Sequence, residues 1–534
     1  MNKRGQRGRR WVGRGLSRRQ LLQRTGVAAA GLGLLRGCGP GEDDPTAPLV
    51  GEGWGLPASD GEAEALLPTG VIPDNTLEFF FFGGLNMWDT FYAVPEFGGP
   101  GSGFGQPWML WTFMDQGGPD SLRSWFERCG GQGDITRPWA PDANGRTVHL
   151  GPLVHPLWNR PDVLARARMW VVTHEETAHQ GAVPLSLCGL PRNNPRLAGT
   201  ATHLGRFYGD HGRADRSVPW TYVTYPQLDD LNSLNGDSAS SVGLHRASAR
   251  PVGFRLGPQG LVSDQLARLE VQARKGEVDA AVDFYVQKYR QRLAWMRGEQ
   301  VTRAGHFEDF AVARAGLGVS DRILALLSEQ ATSGRQGTAC GDTSQADYTA
   351  MGLQIATELV THPTDAAKYV CVVDGGLFPA DGGGAYDTHV KHVRDSARNT
   401  VHAMNELLSR INEPGEDDPT KIDLDRQMVL LTTEFGRAPF AGGDGLDHWP
   451  GGYGMIALGG PIDEDRAGIV GAIDQNANPV SAISPADFRA AMLLAQGVWP
   501  FSQESFAVSD ISEGTTERDA AMYLREVVLG YPVG

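Results

Sequence analysis

The stretch that decides the fold reads Leu77-Glu78-Phe79-Phe80-Phe81-Phe82-Gly83-Gly84. It is an almost continuous apolar run that ends in two glycines, which is typical of a strand buried on both faces that enters a tight turn. Similar runs lie at 169–173, 219–224, 369–373, 427–433 and 454–458. Helical periodicity is visible at 389–411 and 485–497. Strands that alternate with helices predict an α/β fold with a doubly wound, mostly parallel sheet.

Several of the predicted strands lead into residues that can bind metals. In such a sheet, ligands bind in the crevice beyond the carboxyl ends of the strands. The candidate metal ligands near these ends are Asp89, His179, Asp387, His389, Glu434, Asp447 and His448. Carboxylates and imidazoles together suit a divalent cation, so the sequence predicts a metal cofactor, with Zn²⁺, Mn²⁺, iron and Ca²⁺ as candidates.

Two loops carry the most specific of these residues. Asp387 and His389 lie two residues apart in a loop after the 369–373 run, where both can face one cation. The alternative is that Asp387 caps the following helix and His389 is exposed. Asp447 and His448 are adjacent in a glycine-rich loop, and the sharp turn that glycine permits can direct both side chains to metal.

Two residues that follow the 427–433 run have several possible roles. Glu434 can bind a metal or orient a metal-ligating histidine. Arg437 can bind a phosphate or sulfate oxygen and steady the charge that develops during a reaction. The alternative is a structural salt bridge between Glu434 and Arg437, which lie three residues apart.

The turn after the first strand places Thr90 next to Asp89. A hydroxyl beside a metal can act as a nucleophile because coordination lowers its pKa, and Thr90 is therefore a candidate catalytic residue. The alternative is that Thr90 only caps a helix. The histidines near these motifs for which we expect a structural role are His174, His392 and His402.

The N-terminal sequence has the features of an export signal. Arg18-Arg19 is followed by Leu21-Leu22 and by an Ala- and Gly-rich apolar run at 26–35, which matches a twin-arginine signal and is too short to span a bilayer permanently. Cys38 follows Leu-x-Gly, which resembles a lipoprotein cleavage site. We therefore expect a periplasmic or cell-surface protein, tethered to the membrane through lipidated Cys38. The alternative is a basic, disordered N-terminus.

Composition and charge define the remaining segments. The predicted organisation is a signal at 1–38, a flexible tether at 39–75 and a folded domain at 76–534 with a helical insertion near 260–335. Residues 1–38 hold ten Lys and Arg and no acidic residue, whereas the whole chain has a net charge of −15. The acidic remainder argues against nucleic acid as a partner. The cysteines beyond Cys38, which permit up to two disulfides but have no CxxC spacing, are Cys129, Cys188, Cys340 and Cys371.

Together these motifs resemble the DUF1501 family, whose members are commonly exported by the twin-arginine route. The segments that carry the resemblance are Asp387-Thr388-His389, Glu434-Phe435-Gly436-Arg437 and Asp447-His448-Trp449-Pro450. The family is similar to the alkaline phosphatase and sulfatase superfamily, so the resemblance implies that kind of α/β fold over about residues 77–495. It also implies a set of metal ligands, namely Asp89, Asp387, His389, Asp447 and His448. Thr90 lies where a nucleophile is expected.

The function expected from these observations is metal-dependent hydrolysis of a phosphate or sulfate ester, on a small molecule or a polymer. The metal would polarise the ester and activate a hydroxyl or water. The alternative is a non-catalytic surface lipoprotein that binds a glycan or a protein. A third interpretation is a scaffold in which the metal serves only folding.

Overall fold

The apolar run at 77–82 lies near the middle of a central sheet. The structure is a computed structural model that describes residues 53–99, 101–103, 108, 110–111, 121–211, 219–226, 241–243, 250–256, 284–289, 291–292, 337–342, 347–376, 386–440 and 445–532. The predicted signal at 1–38 and the first part of the predicted tether lie outside the described residues. So does most of the predicted insertion at 260–335, of which 284–289 and 291–292 are helical.

The described strands and helices have the following bounds. The strands are β1 (Asn75–Phe81), β2 (Arg137–Pro141), β3 (Thr147–Leu150), β4 (Ala167–Val172), β5 (Thr221–Pro226), β6 (Val252–Leu256), β7 (Gly337–Thr338), β8 (Gly341–Asp342), β9 (Tyr369–Asp374), β10 (Gln427–Thr433), β11 (Gly436–Arg437), β12 (His448–Trp449), β13 (Tyr453–Gly459), β14 (Gly468–Val470), β15 (Ala472–Ile473) and β16 (Pro479–Ser481). The helices are α1 (Asp60–Ala63), α2 (Leu122–Arg128), α3 (Pro161–Leu164), α4 (His179–Cys188), α5 (Thr200–His211), α6 (Tyr348–Thr361), α7 (His392–Ser409), α8 (Pro485–Ala495) and α9 (Glu517–Tyr523).

The central sheet has the strand order β14-β4-β13-β10-β1-β9-β5-β6. Its pairs are parallel except those that β13 makes with β10 and β4, which are antiparallel. The prediction of a mixed α/β fold with a mostly parallel sheet is therefore confirmed, and all six predicted strands belong to it. Because β1, β9 and β10 are parallel neighbours, their carboxyl ends lie side by side at one edge.

A buried ion pair crosses the core beneath this edge. Glu78 of β1 and Arg489 of α8 are almost completely inaccessible to solvent. They form a bidentate pair with nitrogen–oxygen distances of 2.8 and 2.7 Å. Burial raises the pKa of Glu78, but Arg489 and the hydroxyls of Thr432 and Tyr369 outweigh it and lower this pKa below its usual value. Because Thr432 belongs to β10 and Tyr369 to β9, this buried ion pair links β1 and both of its neighbouring strands to α8.

The predicted tether needs correction over its described part. Trp54 is buried, and its indole nitrogen donates a hydrogen bond of 3.1 Å to the carbonyl of His203 in α5. Leu66 and Leu67 are buried as well. The glycines and acidic residues of this segment suggested a flexible chain, but its few large apolar side chains bury enough surface to fix residues 53–75 against the domain.

The four cysteines in the described ranges form one disulfide and two buried thiols. Cys129, at the end of α2, is bonded to Cys340 in the β7–β8 hairpin, whereas Cys188 and Cys371 are free. Within the described part of the chain, no helix combines the length and apolar character needed to cross a bilayer.

The buried ion pair gives a test of the core. Arg489→Met leaves the Glu78 carboxylate buried without its partner and should lower the free energy of unfolding by about 3–5 kcal/mol. The control is Arg426→Met, because Arg426 pairs with Asp74 at 2.7 Å but at the surface, with side chains 69% and 49% exposed. That change should cost about 1 kcal/mol or less. Urea unfolding followed by tryptophan fluorescence measures both, and equal losses would contradict this view of the core.

Candidate metal centre

The turn after β1 is shaped by glycine at the point where three loops meet. Gly83 and Gly84 have φ angles of +113° and +96°, which are open to glycine but strained for other residues. A Cβ on Gly83 would collide with the backbone nitrogen of Asp387. The Gly83 amide donates a hydrogen bond of 2.7 Å to Glu434 Oε1. The turn after β1 therefore passes close to the loop that carries Asp387 and to the segment that carries Glu434.

The two loops with the most specific motifs lie against each other. The Leu446 amide donates a hydrogen bond of 3.0 Å to the carbonyl of Thr388. Gly445 approaches the carbonyl of His389 so closely that a Cβ would collide with it. Farther along, the β11–β12 ladder pairs Arg437 with His448. The structure thus brings together the Asp-Thr-His and Asp-His-Trp-Pro segments, as the sequence predicts.

Three side chains form a compact group of possible ligands at this edge. His179 begins α4, and its Nε2 lies 3.3 Å from Asp387 Oδ2. His448 Nε2 lies 3.0 Å from Asp387 Oδ1. One ligand atom from each of the three residues lies within 4.8 Å of the other two. Two imidazoles and a carboxylate at these distances can converge on one cation.

The outer nitrogens of both imidazoles are already occupied. His179 Nδ1 lies 2.9 Å from Glu434 Oε1, and His448 Nδ1 lies 2.6 Å from the carbonyl of Thr177. Since these oxygens accept hydrogen bonds, each Nδ1 carries a proton, and each Nε2 would offer its lone pair to a cation once the ring is neutral. Orientation of this kind is typical of histidines that bind metals. Glu434, itself fully buried, therefore holds His179 and lies outside the compact ligand group.

His389 and Asp447 lie on the solvent side of this group. His389 Nε2 is 3.0 Å from His448 Nε2 and 3.1 Å from Asp387 Oδ1. The Asp447 side chain is 88% exposed, with Oδ1 3.5 Å from His389 Nδ1. Burial lowers the pKa of His389, although Asp387 opposes this effect. His389 thus joins the site, and the exposed Asp447 side chain lies against His389 at its rim.

Arg437 does not have the role predicted for it. Its guanidinium is fully buried and donates to Asp387 Oδ1 and to the carbonyls of Gly83, Gly84 and Leu446. A guanidinium engaged in this way is not offered to a phosphate or sulfate, and its partner is Asp387 rather than Glu434. The sequence did not show this because three of the four acceptors are backbone carbonyls, which any residue supplies.

The charges at the centre depend on one another. Burial raises the pKa of Asp387, but hydrogen bonds from His179 and His448, together with Arg437, hold it well below its usual range. Burial lowers the pKa of His179, but hydrogen bonds to Asp387 and Glu434 outweigh this effect and raise it to about 9. In the absence of a cation, a proton on His179 therefore compensates the buried carboxylates.

Two further predicted residues lie elsewhere. The Thr90 hydroxyl is buried and donates to the carbonyl of Asn86, so it is not the predicted nucleophile. Asp89 Oδ2 lies 2.8 Å from Nε2 of His392, and Asp89 is not in the compact ligand group. A structural role was expected for His392, although its position three residues after His389, at the start of α7, is a signal in the sequence that points to the site.

His174 and Phe435 complete the surroundings of the centre. His174 is structural, as predicted, with its Nε2 2.7 Å from the carbonyl of Glu434. Phe435 stacks on His448 with ring centroids 4.3 Å apart, and it also contacts His179 at 5.0 Å. These aromatic contacts limit the orientations of the two imidazoles.

Comparison with known proteins identifies one related family. Residues 338–521 match the model of a family described as a protein of unknown function (DUF1501). The match supports the DUF1501 resemblance over a segment that holds Asp387, His389, Glu434, Arg437 and His448. The matched segment does not include β1 or His179. No curated protein matches the chain.

The raised pKa of His179 gives a prediction for the protein kept metal-free with EDTA. Protonated His179 stabilises the fold fully below its unfolded-state pKa of about 6.5, and this contribution is lost as the pH rises toward 9. His179→Asn should remove this component of the pH dependence. Urea midpoints at pH 6, 7.5 and 9 measure it for both proteins. Equal dependence in both would show that His179 is not charged at pH 6.

Proposed function

We propose that this DUF1501-related protein is an exported, metal-dependent hydrolase of phosphate or sulfate esters. The observation that carries the proposal is the convergence of His179 Nε2 and His448 Nε2 on the Asp387 carboxylate, at 3.3 and 3.0 Å. The proposed fold is the doubly wound, alkaline phosphatase-like type, which the mostly parallel sheet and the position of the site at its edge support.

The residues present fit a divalent cation. Two neutral imidazoles and one carboxylate are a frequent set of protein ligands for catalytic Zn²⁺, with a further position left for water or substrate. His389 Nε2 and His448 Nε2 lie 3.0 Å apart, and a cation bound to His448 would engage one of two lone pairs that otherwise face each other, leaving His389 Nε2 free. Such a cation would supply Lewis-acid activation of the ester and of water.

The surrounding residues have distinct tasks in this proposal. Glu434 fixes the tautomer of His179, and Arg437 keeps Asp387 ionised and immobile. His389 accepts a proton from the attacking water, because its side chain is 35% exposed and reaches solvent. Asp447 lies 3.5 Å from His389 Nδ1 and favours the tautomer with a free Nε2. Water replaces Thr90 as the proposed nucleophile.

The proposed location follows from the N-terminal motifs. We propose export by the twin-arginine route and attachment of the protein to the membrane through lipidated Cys38, at the periplasmic or cell-surface side. The Cys129–Cys340 disulfide supports this location, because disulfides persist mainly in oxidising compartments.

A second candidate function is non-catalytic binding of a glycan or protein. The observation that favours it is that neither of the two residues first expected to be catalytic, Thr90 and Arg437, is available for catalysis. The Thr90 hydroxyl donates to a backbone carbonyl, and the Arg437 side chain is fully buried, with its guanidinium hydrogen-bonded inside the protein. In this case the metal would shape or stabilise a binding surface without turnover.

Metal binding and turnover by variants distinguish these functions. The purified mature protein, loaded with Zn²⁺ or Mn²⁺, should hydrolyse an aryl phosphate or an aryl sulfate. His448→Ala should abolish tight metal binding, because it removes one of three ligands. His389→Ala should keep the metal but reduce turnover by about 10²-fold or more, as expected for a missing proton acceptor.

The matched control is His402→Ala, because His402 is a buried histidine of α7 that pairs with Asp347 at 2.9 Å. It should retain both metal and turnover. Stoichiometric metal without turnover on either substrate would favour the binding function. Failure of the wild-type protein to bind Zn²⁺ or Mn²⁺ would overturn the proposed hydrolase altogether.

A further inference from the structure

We propose that His392 is a positioning residue for the metal centre. It connects the turn after β1 to the loop that carries Asp387 and His389, through hydrogen bonds on both ring nitrogens. The inference rests on the proposed function, since it concerns how tightly the same centre binds its cation.

The first step is the position of the ring. His392 is the first residue of α7 and is completely buried. Its Nε2 lies 2.8 Å from Asp89 Oδ2, and its Nδ1 lies 2.6 Å from Thr388 Oγ1. Ser396 Oγ, one turn along α7, is also 3.2 Å from Nδ1. The imidazole therefore bridges two loops that are 299 residues apart in the sequence, measured from Asp89 to Thr388.

The second step concerns what the pair of Asp89 and His392 does. Asn86 Nδ2 lies 2.9 Å from both Asp89 Oδ2 and His392 Nε2. The orientation of this amide follows from its oxygen, which accepts the Trp88 amide at 3.0 Å. An amide donor aimed between a carboxylate and an imidazole opposes a cation there. The pair thus acts through hydrogen bonds and is not a second metal site.

The third step links the pair to the ligands. Thr388 lies between Asp387 and His389, so holding its hydroxyl limits the movement of both neighbours. The carbonyl of Thr388 accepts the amide of Leu446, two residues before His448. One buried imidazole therefore fixes the loops that supply Asp387, His389 and His448.

The burial of Asp89 strengthens this link. Its Oδ1 is buried and has no hydrogen-bond partner within the described ranges. His392 and Asn86 therefore provide the side-chain hydrogen bonds that stabilise the carboxylate. A carboxylate in such a place strongly favours one arrangement of its donors, because an unpaired buried charge is costly. The preferred arrangement is the one that holds Thr388.

The test measures Zn²⁺ affinity with a competing chelator on the full-length mature protein. His392→Ala should weaken Zn²⁺ binding by about tenfold or more, the usual range for residues that support metal ligands. His392→Asn keeps a polar group near the position of Nδ1 and should restore part of the loss. His402→Ala, with the same type of buried pair on the same helix, should lower thermal stability without changing Zn²⁺ affinity.

Thr388→Val covers the case in which His392→Ala fails to fold. It removes only the hydroxyl that meets His392 and keeps the shape of the side chain, and it should also weaken Zn²⁺ binding by about tenfold. Unchanged affinity in Thr388→Val, or in a folded His392→Ala, would overturn the inference, provided the wild type binds Zn²⁺. A wild type that binds no Zn²⁺ would overturn the proposed function, and this inference with it.

Discussion

The contacts of the Arg437 guanidinium hold the centre together. This group donates to Asp387 and to the backbone carbonyls of Gly83, Gly84 and Leu446, and it has no contact with solvent. A buried cation with these acceptors fixes the turn after β1, the loop after β9 and the loop that leads to β12 in one arrangement. Removing any of the acceptors would leave a strong donor unpaired in the interior, so the three loops are stabilised as a unit.

The sheet explains why residues so distant in sequence can share this unit. Parallel pairing of β1 with β9 and with β10 places the ends of three strands at neighbouring positions. Gly83 then allows the first loop to pass against Asp387, where any side chain at position 83 would collide. His179 reaches the same place from α4, because β4 lies in the same sheet. The pair of Glu78 and Arg489 anchors β1 below the site, and Arg437 anchors the loops above it.

Much of the fold was predictable, because strands buried on both faces are recognisable in the sequence as continuous apolar runs. The ligand candidates were predictable to the extent that they depend on residue type and strand ends, and His179, Asp387, His389 and His448 do meet. The errors have a common physical cause. The contacts of Arg437 and Thr90 are mainly with backbone carbonyls, which leave no trace in the sequence. Asp89 pairs with His392, a residue for which only a structural role was expected. The segment at 53–75 is held by a few large side chains such as Trp54, and the average composition of the segment does not reveal their effect.

For the proposed hydrolase, the balance of charge at the centre bears on the kind of substrate that would bind there. Among its buried groups, Asp387 and Glu434 are acidic and Arg437 is basic, which leaves one net negative charge when the imidazoles are neutral. In the metal-free protein, the raised pKa of His179 lets a proton cancel this charge. A divalent cation would have to displace that proton, so in the proposed metal site binding and proton release would be coupled. With a divalent cation bound, the buried groups and the cation together would carry one net positive charge. In the proposed hydrolase, this local positive charge, offset at the surface by Asp447, would favour an anionic group such as a phosphate or sulfate ester over a neutral one.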